Sequence, residues 1–165
     1  MTVLLLVLLL VLVALNGLFV AAEFALVRSR KARIQALAQE GDRNADAVLA
    51  QIERLDEYLS AAQVGITMAS IGIGFLGEPA VAELIEPVIE GPVGHGVATA
   101  ISVALAFTFV TALHISLGEQ VPKIIAITRP EGTARRTARP LHWFRVLSGP
   151  FTLGHGSPAR HGRRA

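Results

Sequence analysis

The chain has 165 residues, of which 52% are hydrophobic, 17% charged and only 5% aromatic, with a formal net charge of +2 and a mean hydropathy of +0.53. An apolar mass built from Leu, Val, Ile and Ala in this proportion belongs to a bilayer more than to a soluble core. With no cysteine, a disulfide framework, a thiolate zinc site and an iron–sulfur cluster are all excluded.

The first predicted element is a membrane span over about 3–27, interrupted among strongly polar residues only by Asn16 and Glu23. At about 1.5 Å per residue it crosses a hydrocarbon core of roughly 30 Å with tilt. A secretory signal peptide is the alternative. It lacks the cationic leader, and the apolar run exceeds the usual h-region, although Val20-Ala21-Ala22 resembles a cleavage site. The segment from Ser29 to Glu57 reads as a pair of amphipathic helices broken at Gly41-Asp42, lying along the inner leaflet or under the bundle.

A second span, about 58–76, is diluted by Gln63, Thr67, Ser70 and the glycines Gly65, Gly72 and Gly74, as expected of a helix buried among others. An acidic loop is expected over 78–96, and a third span, about 97–117, contains no Asp, Glu, Lys or Arg. A juxtamembrane helix over about 129–148, with Trp143 at the interface, begins an incomplete fourth membrane-associated element. The Gly, Pro, His and Arg-rich tail, 149–165, reads as disordered. The fold class is therefore an all-α membrane protein with three transmembrane helices.

Charge placement gives the orientation. Six Lys and Arg residues fall between Arg28 and Arg54 and six between Lys123 and Arg145, while the 78–96 segment carries Glu78, Glu83, Glu86 and Glu90 with no basic residue. By the positive-inside rule the basic segments are cytoplasmic and the N-terminus outside, a multi-pass arrangement in the plasma membrane. The positive charge is thus assigned to topology, and nucleic acid is not a partner.

Ionisable or amide side chains at membrane depth are functional candidates because burying them unpaired costs at least a few kcal/mol. Asn16 and Glu23 are seven positions apart, close to two helical turns, and share a face with Phe19. Gln63, Thr67, Ser70 and Gly74 also follow a helical spacing. Helix packing is the bland reading of Thr67, Ser102, Thr108 and Thr111. Glu23, five residues before Arg28, has its own bland reading, either snorkelling toward the interface or pairing with a cytoplasmic arginine. His114 is read as an interfacial or hydrogen-bonded histidine, not as a ligand.

At 118–122, Gly118 permits a turn and Pro122 cannot donate to the Gly118 carbonyl, so a broken helix is expected with free carbonyl oxygens beside Glu119. Hard oxygen donors at an interrupted span suit Mg²⁺, Ca²⁺ or Na⁺. A loop with a capping Glu119 and an interfacial Lys123 is the alternative.

Three ordered blocks, NGLFVAAEFALV (16–27), AQVGITMAS (62–70) with GEP (77–79), and LGEQVPK (117–123), resemble the signatures of the CNNM/CorC transmembrane domain, a family often labelled haemolysin-like. The resemblance covers about residues 1–150. It implies a divalent-cation transporter, usually of Mg²⁺ by efflux with Na⁺ coupling in several members, working as a homodimer. It also implies metal ligands at Ser70, the Gly118 carbonyl and Glu119, with Glu23 and Asn16 supporting. Ala22 stands where many Mg²⁺-transporting relatives carry a serine, which removes one oxygen donor. Gln63 and Gly65 fall where relatives often have asparagines. The CBS nucleotide-binding pair of longer relatives is absent here, so a truncated, non-transporting scaffold that dimerises with full-length relatives is the competing reading. No nucleophile elbow, phosphate-cradling loop or His/Cys ligand spacing supports an enzyme.

Overall fold

The computed structural model describes residues 2–152, with side chains through 149. Seven α-helices and one π-helical stretch make up the described chain, with no strand. The helices are α1 (Thr2–Arg28), α2 (Lys31–Gln39), α3 (Arg43–Glu53), α4 (Leu55–Val93), α5 (His95–Leu113), α6 (Val121–Thr128) and α7 (Pro130–Thr152); the π-helical stretch, His114–Gln120, joins α5 to α6. Three continuous helical runs are long and apolar enough to cross a membrane: α1, α4, and the run from His95 to Thr128.

The first run packs antiparallel on α4 in regular step. Leu9 lies against Gly77, Leu12 against Gly72 and Phe19 against Gly65, while Glu23 meets Gln63. Small residues on one helix receive large ones from the other, the usual way transmembrane helices approach closely without a hydrophobic driving force. At Gly65 an added Cβ would fall 2.6–2.8 Å from three atoms of the Phe19 ring.

Three sequence expectations change. The acidic 78–96 segment is not a loop: α4 continues to Val93 through Pro79, Pro87 and Pro92, and the chain reverses at Gly94 (φ 79°). The reason is packing, because Val81, Ala82 and Ile85 join Leu6, Leu9 and Val110 in one apolar cluster, which holds the helix together past its prolines. The chain does not break at 118–122 but widens into the π-helical stretch. At the other end, α7 extends past the expected limit at 148 to Thr152, and the rest of the expected disordered tail, 153–165, lies outside the described residues.

The helices α2, α3 and α7 form a layer across one end of the bundle. Its core joins Phe19, Ala22 and Leu26 of α1 to Ile34, Val48, Tyr58, Ala126, Ala138 and Leu141. The α2–α3 turn is made by Gly41 (φ 92°), and Asp42 caps α3 by accepting from the Asn44 and Ala45 amides at 2.8 and 3.3 Å. Asp42 also pairs with Arg135 of α7. That guanidinium, with the Asn44 amide second, holds the Asp42 carboxyl below the usual carboxylate range. Two apolar clusters thus occupy the bundle, one under this basic layer and one toward the acidic end, with a polar level between them.

Candidate functional site

The polar level is built where α1, α4 and the π-helical stretch meet. Asn16 lies between Val13, in the acidic-end cluster, and Phe19, in the basic-end cluster, and is 1% exposed. A buried primary amide needs partners for both its ends. Asn16 Nδ2 donates to the Gly118 carbonyl at 3.0 Å, and Asn16 Oδ1 accepts from Ser70 Oγ at 3.3 Å.

The Gly118 carbonyl is available for a local reason. Its α-helical donor would be the amide of residue 122, which is proline and has no N–H. In the π register the Val121 N–H reaches back to the Ser116 carbonyl. Such single-turn π segments inside α-helices often coincide with functional sites. Close approach completes the arrangement: a Cβ on Gly17 would sit 2.9 Å from Pro122 Cγ, and one on Gly118 would sit 3.0 Å from His114 Cδ2 and 3.4 Å from Asn16 Nδ2.

Of the five residues singled out in the sequence, the structure brings Asn16, Ser70 and Gly118 together. Glu119 is half-buried, and no hydrogen bond or ion pair joins its carboxylate to the other described residues. Glu23 stands two turns along α1, where its Oε1 accepts from Gln63 Nε2 at 3.2 Å, so Gln63 and not Arg28 is its partner. Ala22 is fully buried, so a serine there would have placed a hydroxyl inside the bundle.

His114, not counted among the ligand candidates, belongs to the cluster. Its Nε2 is 3.3 Å from Ser70 Oγ. The hydrogen-bonded reading is therefore the correct one, and the signal available was its position four residues before Gly118. A cleft of about 140 Å³ opens beside this pair, lined also by Gly74, Glu78, Phe107 and Thr111. Thr67 and Thr108 bond back to their own helix at the carbonyls of Gln63 and Ala104, as the packing reading expects.

Chemically the level offers an amide oxygen, a hydroxyl and a peptide carbonyl, all neutral hard oxygen donors, with a carboxylate at the next residue. Among the described residues no group of three or more His, Cys, Asp or Glu side chains is placed to hold a metal ion. The arrangement does not resemble a soft-metal centre.

Comparison with known proteins gives concordant relatives. The family model of the cyclin M transmembrane N-terminal domain (CNNM) matches residues 7–156. The UPF0053 protein YhdT of Bacillus subtilis is 47% identical over 143 residues, 86% of this chain and 31% of the relative. The UPF0053 protein YhdP of the same species is 43% identical over 147 residues, covering 88% and 33%. The protein Rv1841c of Mycobacterium tuberculosis is 42% identical over 142 residues, covering 86% and 40%. The chain thus spans about a third of the length of the Bacillus relatives. With a match over nearly its whole length and the three signature blocks at the helix contacts just described, the chain belongs to the cyclin M transmembrane-domain family.

Proposed function

We propose that this chain is the cation-binding core of a divalent-cation transporter, with Mg²⁺ as cargo and Na⁺-coupled efflux as the mode, acting as a homodimer in the plasma membrane with its basic layer in the cytoplasm. The observation that carries the reading is the Gly118 carbonyl, freed by Pro122 and gathered with Asn16 and Ser70 between three span-forming runs. Mg²⁺ takes oxygen ligands and keeps several waters when few protein donors are offered, which suits a site with three neutral oxygens and the Glu119 carboxylate adjacent. Interrupted helical geometry at membrane depth is where transporters place ion sites.

In this mechanism the hydrogen bonds among Asn16, Ser70 and Gly118 hold the donors in register when no ion is bound. Cation binding exchanges them for coordination. Glu119 supplies the charge that makes entry of a dication favourable, and Glu23 with Gln63 lies on the path toward the basic layer. Rocking of α1 against α4 and the π-helical stretch would alternate exposure of the ion.

The test is calorimetric titration of Mg²⁺ into the purified chain in detergent, with Na⁺ as competitor. Ser70→Ala and Glu119→Gln are each expected to weaken binding by at least about tenfold, the lower end of what even outer-shell partners of a metal site contribute. Saturable binding that neither substitution alters would move the site elsewhere. No binding by a folded sample would favour the scaffold reading.

A further inference from the structure

A cavity larger than the cleft beside Ser70 and His114 lies away from the polar level, in the basic layer. It holds about 530 Å³ between α3, the start of α4, and α7. Ala47, Ala50 and Ala138 with the rings of Tyr58 and Trp143 form its apolar wall, and Arg54, Arg139 and Arg145 also line it, with no carboxylate among the lining residues. Tyr58 opens the apolar part of α4, so the cavity is at the level where the span leaves the hydrocarbon. Trp143 is 67% exposed, an unfavourable state in water and a common one at a headgroup boundary.

The charges around it are only partly compensated. Glu57 pairs with both Arg54 and Arg145 at 2.8 Å, while no ion pair joins Arg139 to the described residues. Arg145 stacks its guanidinium 4.9 Å from the Tyr58 ring centre, and Tyr58 Oη is held by His142 Nδ1 at 2.8 Å. Two lining side chains keep buried atoms without a hydrogen-bond partner, Gln51 Oε1 and Arg145 Nε. The Gln51 orientation is fixed because its Nε2 donates to the Ala138 carbonyl at 2.6 Å. Neither atom is solvent-accessible, so both belong to the packed wall and are not open to a ligand in the cavity.

We propose that this cavity is a binding site for one anionic glycerophospholipid. Its phosphate is bound by Arg54 and Arg139 and its glycerol and first acyl carbons lie on the alanine, Tyr58 and Trp143 surface. A free anion would gain nothing from the apolar wall, and a zwitterionic lipid brings a choline cation that offsets its phosphate against the arginines; an anionic lipid uses both. Because α3 and α7 meet α4 at this cavity, the lipid would join the basic layer to a membrane-crossing helix.

Trp143 is the only tryptophan in the chain and so reports directly on the cavity. The experiment is quenching of its fluorescence by brominated phosphatidylglycerol, titrated into the purified chain in detergent, with brominated phosphatidylcholine as the neutral arm. Phosphatidylglycerol is expected to quench saturably at a concentration at least about tenfold lower than phosphatidylcholine, because its phosphate meets the arginines with a net negative charge that the choline cation cancels in phosphatidylcholine. Arg139→Gln should raise the half-point by about tenfold, whereas Arg136→Gln, an exposed arginine of α7 outside the cavity, should move it by less than about twofold, since a distant surface charge acts only through a screened field. Ala50→Phe, which fills the cavity from an exposed position and leaves every charge in place, should abolish the difference between the two lipids. Equal quenching by both lipids, equal effects of the two arginine substitutions, or unchanged selectivity in Ala50→Phe would each overturn the site. Relief of quenching by millimolar inorganic phosphate would also overturn it, by assigning the cavity to a free anion.

Discussion

Asn16 shows how a single side chain can join three elements. Its amide gives one hydrogen bond to the π-helical stretch and takes one from α4. The sequence made Asn16, Ser70 and Gly118 candidates because polar groups in an apolar run are costly, and Pro122 identified the carbonyl that would need a new donor. What it could not supply was the distance between them, since residues 16, 70 and 118 meet only through tertiary packing. Glycine offers the sharpest test at this scale. Phe19 is confined between Gly65 and the Phe144 ring, whose centre is 4.5 Å away. Gly65→Ala is therefore expected to destabilise the chain by about 1–3 kcal/mol, the usual cost of overpacking. Gly74→Ala, with nothing within 4 Å of the added methyl, should stay within about 0.5 kcal/mol of the parent. Thermal unfolding in detergent measures both; equal effects would mean that α1 and α4 do not approach as described.

At the scale of elements, hydropathy located all three spans, but their ends were set by neighbours. Pro79, Pro87 and Pro92 with four glutamates looked like a loop, yet Val81, Ala82 and Ile85 find partners on α1 and α5, and the helix persists. Likewise Pro122 suggested a break, and one extra residue per turn accommodated it instead. The α2–α3 turn was legible because Gly41-Asp42 combines a left-handed position with a capping carboxylate. What remained invisible was the clasp from Arg135, 93 residues away. This contact predicts a pH dependence. The Asp42 carboxyl lies below its ordinary value in the folded chain, so its contribution is present above the unfolded value of about 3.9 and disappears as pH falls through the lower folded value. Asp42→Asn, which keeps a capping oxygen but not the charge, should lower the melting temperature at pH 7. The difference from the parent should shrink as pH falls below about 4. A difference that persists undiminished in acid would deny the Arg135 pairing any role.

For the whole molecule, twelve of the fifteen Lys and Arg residues fall in the helices and connections of the basic layer and the adjoining ends of the spans, while Glu83, Glu86 and Glu90 mark the opposite end. At that opposite end His95 Nδ1 lies 3.2 Å from Glu90 and 3.5 Å from Glu86, tying the α4–α5 hairpin. The absence of cysteine makes the topology directly testable. Single substitutions Arg136→Cys and Glu90→Cys should react with a membrane-impermeant maleimide from opposite sides of intact cells or sealed vesicles, with Glu90→Cys labelled from outside. Labelling of both from one side would refute the orientation drawn from the charges. Composition, hydropathy and charge placement by themselves determined that this chain is a helical membrane domain and which residues in its spans are too polar to be there without cause. These are properties of solvent partition, and they can be read from each segment alone. The three-helix polar level, the inclusion of His114 in it, the separation of Glu23 from it, the continued α4 and the arginine-lined cavity were decided only by tertiary structure. Each depends on what a neighbouring helix presents at a given height, and a one-dimensional pattern does not record that height.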